Sequence, residues 1–172
     1  MDSSVAARLD ALAEPEARER LRRCCSSTAW VEGVLRGRPF GNDRALFEAA
    51  ERVWRDLDRD GWLEAFTAHP RIGERERSAS ATAQWSAKEQ SGMDTATAAT
   101  RRALAEGNRL YEKKFGHVFL ICATGKSAEE MLAALGRRLE NDPETELRAA
   151  AEEQRKITRQ RLEKLGKEMT GR

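Results

Sequence analysis

The sequence predicts an all-α protein, a single-domain bundle of several helices, on three observations. Apolar residues recur at three- and four-residue steps in one segment after another, as one-sided helices require. Capping residues, Pro and Gly separate those segments at the places where helices start and stop. One run alone, His117 to Cys122, reads as extended chain.

Taken in order, Pro15 suits the first turn of a helix leading to Leu21 and Cys24. Thr28 starts a short helix carrying Trp30, Val31 and Leu35, and Arg38-Pro39-Phe40-Gly41 breaks it. Asn42 or Asp43 caps the best-marked helix, in which Leu46, Phe47, Ala50, Val53, Trp54 and Leu57 form one stripe. Residues 60–67 form a further short helix with Trp62, Leu63 and Phe66 apolar, and 74–85 show no sustained period. Asp94 is expected to cap a long helix through Leu104, Leu110 and Tyr111, with Lys113 and Lys114 at its negative end and Gly116 as its stop. Ser127-Ala128-Glu129-Glu130 has capping-box spacing ahead of Met131, Leu132, Leu135 and Leu139. The last helix runs from Pro143 past Leu165 on an interrupted apolar face of Leu147, Ala150, Ile157, Leu162 and Leu165.

The chain has 172 residues, enough for one domain that buries a core without disulfides or metal. Its 31 Lys and Arg nearly cancel 29 Asp and Glu, leaving +2, so it lacks the electrostatic footprint of a nucleic-acid binder. Three cysteines, two of them adjacent at Cys24 and Cys25, form neither an even disulfide framework nor a metal-spaced pair. No apolar run approaches the roughly 20 residues that span a bilayer, the N-terminus lacks the apolar core of a signal peptide, and Met169-Thr170-Gly171-Arg172 is not a Ser-Lys-Leu address. The expectation is a cytoplasmic protein with reduced thiols and no membrane partner.

The chemistry-bearing stretch is His69-Pro70-Arg71-Ile72-Gly73-Glu74, which sets one of two histidines just past a helix end, stiffened by Pro70. Ser86, Glu89 and Gln90 follow in a polar segment that places them to share a pocket with the imidazole. Each has a structural alternative. His69 also suits a helix end where it bonds a carbonyl, and Ser86-Ala87-Lys88-Glu89 is itself a capping-box spacing in which Glu89 merely satisfies a backbone donor. His117 after Gly116 reads as structural, and two histidines without a ligand-spaced partner make no zinc site. Trp30, Trp54 and Trp62 read as core, while Trp85 is placed to shield a pocket. The Arg-rich clusters at 18–23 and 155–161 alternate with glutamates, as solvated helix faces do.

These blocks occur in a recognisable order: Arg38-Pro39-Phe40, Ala68 to Gly73, Ser86 to Gly92, Asn108 with Tyr111, Phe115-Gly116, Phe119 to Lys126, Arg137 to Asn141, Lys156-Ile157 and Arg161-Leu162. Over nearly the whole chain the order resembles the 2-oxo-4-hydroxy-4-carboxy-5-ureidoimidazoline (OHCU) decarboxylases. The resemblance implies an all-helical homodimer that needs no cofactor and converts a small anionic ureidoimidazoline acid to (S)-allantoin and carbon dioxide in urate catabolism. Carried over residue by residue, it implies His69 and Glu89 as catalytic, joined by a late arginine that falls on Arg161, with Arg159 as its neighbouring alternative. It implies Pro70, Ser86, Gln90 and the stretch Ile121, Cys122, Ala123, Thr124 and Gly125 as substrate-binding. Some relatives carry a basic residue where this chain has Thr124. Two other readings stay open: an enzyme of the same fold acting on a related ureido or imidazoline acid, and a non-catalytic helical binding module.

Overall fold

A computed structural model of the protein describes residues 4–74 and 80–171. Among the described residues the architecture is all-helical, as expected, with nine α-helices, one short 3-10 turn and no strand. The helices fall into two compact units.

The first unit takes in the chain up to Ala65 and from Arg155 onward. It contains α1 (Val5–Ala11), α2 (Glu14–Cys24), α3 (Thr28–Leu35) and α4 (Asp43–Asp56). Helix α1 carried no sequence signal because seven residues show less than two turns of period. The Ser4 side chain nonetheless accepts from the Ala7 amide, and Val5, Ala6 and Leu9 are buried. Pro15 lies in the first turn of α2, Ser27 caps α3, and Asn42 caps α4 by accepting from the Ala45 amide. Leu9, Leu21, Trp30, Leu46, Leu162 and Leu165 are completely buried. The Trp30 indole N–H is satisfied by the Ala50 carbonyl at 3.0 Å. Trp62 is only half-buried, its indole donating to the Trp54 carbonyl.

The second unit runs from Phe66 to Gln154. After α5 (Arg59–Thr67), which begins in the first unit, come α6 (Ala81–Glu89), the 3-10 turn Ser91–Met93, α7 (Ala98–Phe115) and α8 (Ala128–Leu139). The long α9 (Pro143–Met169) starts here and ends in the first unit. The core holds Leu104 and Tyr111 of α7, Met131 and Leu135 of α8, and Phe119, Ile121 and Ala123 between them. Gly107 lets α7 approach α8 closely, since a Cβ there would fall 2.5 Å from Leu135 Cδ2.

Three local expectations are corrected. Asp94 does not cap α7: it ends the 3-10 turn, and Thr97 is the cap, accepting from the Thr100 amide. Residues 81–85 of the 74–85 segment are helical, because Ser80 caps α6 by accepting from the Ala83 amide, while 75–79 lie outside the described residues. His117 to Cys122 forms no strand among the described residues: His117 lies in a bend and 118–122 are irregular. Phe119, Ile121 and Ala123 join one core cluster, whereas the Leu120 carbonyl and both polar backbone groups of Cys122 are bound by side chains. Gly116 ends α7 in the left-handed region at φ +79°, and the capping box of α8 is present in both directions.

Candidate active site

The site residues of the second unit are delivered by two irregular segments and one short helix. The first segment is the turn after α5, where the His69 amide bonds the Phe66 carbonyl and the chain passes through Pro70 to Gly73 at φ +91°. Two side chains hold this turn. Gln90 accepts from the Gly73 amide at 3.0 Å, and buried Asn108 of α7 donates to the Ile72 carbonyl at 3.0 Å. The imidazole of His69 meets α9, where its Nε2 lies 2.6 Å from Gln154 Oε1.

Helix α6 presents two faces, because successive residues rotate by about 100°. Ser86 and Gln90 share one, and both line a cavity of about 180 Å³ with Pro70, Gly73, Met93 and Arg101. Trp85 and Glu89 share the next face and are buried, Glu89 at 8% exposure. Thus Pro70, Ser86 and Gln90 come together at this cavity, while His69 and Glu89 are not on its lining. Since α6 starts at Ser80, Ser86 and Glu89 lie within the helix, which removes the capping-box alternative for Glu89.

The second segment holds Ile121, Cys122 and Ala123 buried and Thr124 and Gly125 exposed, with Gly125 at φ +76°. The Cys122 amide donates to the Glu153 carboxylate at 2.8 Å, and Lys126 Nζ donates to the Cys122 carbonyl at 2.8 Å. Arg138 donates to the Leu120 carbonyl. Burial pushes the Cys122 thiol up, Lys126 opposes that, and the charges of Glu153 and Glu89 reinforce it. A protonated, packed thiol is not a nucleophile at neutral pH.

Behind the segment lies a buried polar cluster. The Glu146 carboxylate, completely buried, accepts from Tyr111 Oη, from Arg138 Nε at 2.7 Å and from Asn141 Nδ2 at 3.0 Å. Burial, then the bond to Glu146, drives the Tyr111 phenol far above its usual range. The Arg138 guanidinium also stacks 4.7 Å from the Phe119 ring centre. His117 is structural, as expected: its ring packs among Phe66, Tyr111 and Phe115 and bonds the Val118 carbonyl.

Arg161 belongs to the first unit, where it is 5% exposed, while Arg159 is exposed and pairs with Glu51 and Glu163. Sequence reasoning missed Gln154, Glu153 and the Glu146–Arg138 pair. A signal for two of them exists in α9. Glu146, Leu147, Ala150, Ala151, Gln154, Ile157, Thr158, Arg161, Leu162 and Leu165 are buried at helical spacing, so Glu146 and Gln154 are polar residues in a core stripe.

Among the described residues no group of three His, Cys, Asp or Glu side chains is placed to hold a metal ion, and no helix is long and apolar enough to cross a membrane. What the geometry defines is a helical scaffold with an imidazole on a buried amide, a buried carboxylate and two side-chain-anchored irregular segments. The chain belongs to the OHCU decarboxylase family, whose model matches residues 10–163. It is 41% identical over 145 residues to the uric acid degradation bifunctional protein of Arabidopsis thaliana, covering 83% of this chain and 45% of that protein. The chain therefore spans less than half the length of that relative. It is 32% identical to the 2-oxo-4-hydroxy-4-carboxy-5-ureidoimidazoline decarboxylase of Amia calva, over 76% of this chain and 75% of that one. A crystal structure of OHCU decarboxylase in the presence of (S)-allantoin superposes with a TM-score of 0.74 at 37% identity, covering 85% of this chain and 96% of that one. A crystal structure of (S)-allantoin synthase, at 21% identity and a TM-score of 0.71, shares the fold.

Proposed function

We propose that this chain decarboxylates 2-oxo-4-hydroxy-4-carboxy-5-ureidoimidazoline to (S)-allantoin and carbon dioxide, a step of urate degradation. One observation carries the reading: the family match spans residues 10–163 and includes every residue assigned below. A single family model over that span also supports treating 1–172 as one functional domain.

The reaction breaks the bond between the ring carbon bearing the hydroxyl and its carboxylate. The electron pair passes into the conjugated ring, whose imine nitrogen takes up one proton, and a second proton added at the ureido-bearing carbon, as the hydroxyl proton leaves, sets the stereocentre of the product. His69 is assigned the proton transfer, because imidazole changes charge near neutral pH. Glu89 is assigned the hydroxyl and ureido groups, and Arg161 an anionic oxygen. Pro70, Ser86, Gln90 and the backbone of Ile121, Cys122, Ala123, Thr124 and Gly125 are assigned to the substrate. Because the Cys122 amide is committed to Glu153, Cys122 contributes by placing its neighbours rather than by donating that N–H. No resident cofactor is part of this scheme, and the substrate is a small anion.

The test generates the substrate in situ from urate with the enzymes that precede this step and follows allantoin by circular dichroism. Rapid formation of one enantiomer, lost in His69→Asn, is the expected result; slow racemic decay regardless of the protein would refute the activity. A same-fold enzyme for a related ureido acid would instead turn over that acid in the same assay. We also propose a cytoplasmic homodimer. Its three thiols, all free and buried, support a reducing compartment, and light scattering after gel filtration tests the dimer.

A further inference from the structure

We propose that Gln154 is a positioning residue for His69, fixing which ring nitrogen carries the proton, and that Glu153 beside it holds the opposing segment. The meaning of this for turnover rests on the decarboxylase reading above; the geometry does not. Gln154 is completely buried, and its Oε1 sits 2.6 Å from His69 Nε2. A carboxamide oxygen only accepts, so the neutral imidazole that meets it carries its proton on Nε2 and keeps its lone pair on Nδ1. When His69 becomes cationic the same N–H remains bonded and the bond becomes charge-assisted. Gln154 thus supports both protonation states without titrating.

Glu153 and Gln154 are consecutive on α9, so their side chains diverge by about 100°. One holds the imidazole and the other accepts the Cys122 amide at 2.8 Å. A single turn of helix therefore sets the distance between the proton carrier and the segment assigned to substrate. A carboxylate at 154 would do something different. It would favour the imidazolium and move the titration of His69 to higher pH.

The chain has two histidines, so a long-range ¹H–¹⁵N spectrum of the imidazoles is readily assigned, with His69→Asn removing one set of signals. The wild type is expected to show His69 as the Nε2–H tautomer. Gln154→Met, close in volume, is expected to give a mixture of tautomers, with kcat down at least tenfold and KM within about threefold. In Gln154→Glu the pH limb set by His69 is expected to move up by about one unit or more. An Nδ1–H tautomer in the wild type would overturn the proposal, since it requires the amide turned the other way. So would Gln154→Met with an unchanged spectrum and pH profile. If Gln154→Met fails to fold by circular dichroism, Gln154→Glu alone decides: a displaced limb supports the assignment and an unmoved one refutes it. A wild type that forms no allantoin would sink the functional reading, while the tautomer would still decide the positioning.

Discussion

Irregular backbone is handled differently in the two units. In the first, the break between α3 and α4 depends largely on one aspartate: Asp10 accepts from the Phe40 and Gly41 amides, and Arg38 returns to the carbonyls of Asp10 and Leu12. In the second, five side chains hold two segments: Gln90 on Gly73, Asn108 on Ile72, Glu153 and Lys126 on Cys122, and Arg138 on Leu120. Those segments carry His69, Pro70 and the 121–125 stretch. Backbone that must stay open at a site cannot satisfy its polar groups by forming a helix, so each group needs its own partner, supplied from elsewhere in the chain.

The contrast is sharpest in the ion pairs. Glu146 is completely buried against a largely buried Arg138, whereas Glu51 pairs with Arg155 and Arg159 at the partly exposed surface of the first unit. Glu146→Ala leaves a buried guanidinium without its counter-charge, and is expected to lower stability by about 3–5 kcal/mol in urea unfolding. Glu51→Ala is expected to cost less than about 1 kcal/mol. Equal losses would break the comparison.

Gly92 tests the same idea through sterics. A Cβ there would fall 2.0 Å from the Lys126 carbonyl oxygen, a backbone atom that cannot swing away. Gly92→Ala must therefore shift the end of the 121–126 segment relative to the turn after α6. We expect roughly a hundredfold loss of kcat, the scale on which a displacement of about 1 Å at a site is felt. Gly41→Ala is the control: it strains the backbone at φ +78°, but no atom lies within 4 Å of the new Cβ and no residue assigned to the site adjoins it, so activity should persist.

Helices with two full turns of stripe were legible in the sequence, α4 and α8 above all, because period and cap agree there. Helix α1 was too short to show a period, and α7 was given the wrong cap because Asp94 and Thr97 both suit one. Pro70, Ser86 and Gln90, which the structure brings to one cavity, are legible because local spacing and family order meet in them, while His69 and Glu89 share that order but lie off the cavity's lining. Gln154 is not legible, since Glu152-Glu153-Gln154-Arg155-Lys156 reads as a solvated charge run until helix phase shows which member is buried.

The thiols of the first unit offer a pH test of how apolar its interior is. Burial above all pushes Cys24 and Cys25 up from 9.0 to about 12. A folded-state value above the unfolded one means the folded chain holds more protons between those limits. Stability is thus intact below about pH 9 and falls as pH rises toward 12, by up to about 1.4 kcal/mol per pH unit for each thiol. Chemical unfolding of Cys24→Ala across that window should show a shallower slope than wild type; an identical slope would mean that water reaches the thiol.

A small effect, on stability alone, is expected at a helix end that takes no part in the site. Asn42 accepts from the Ala45 amide at 2.9 Å and starts α4, whose Leu46, Ala49, Ala50 and Trp54 are buried. Asn42→Ala removes one side-chain acceptor, and the exposed amide regains a water. Stability should fall by about 1 kcal/mol with kcat unchanged, because none of the residues assigned to catalysis is held by that cap. A loss of turnover in this variant, at full helicity by circular dichroism, would show that this cap also sets the geometry of a residue assigned to catalysis.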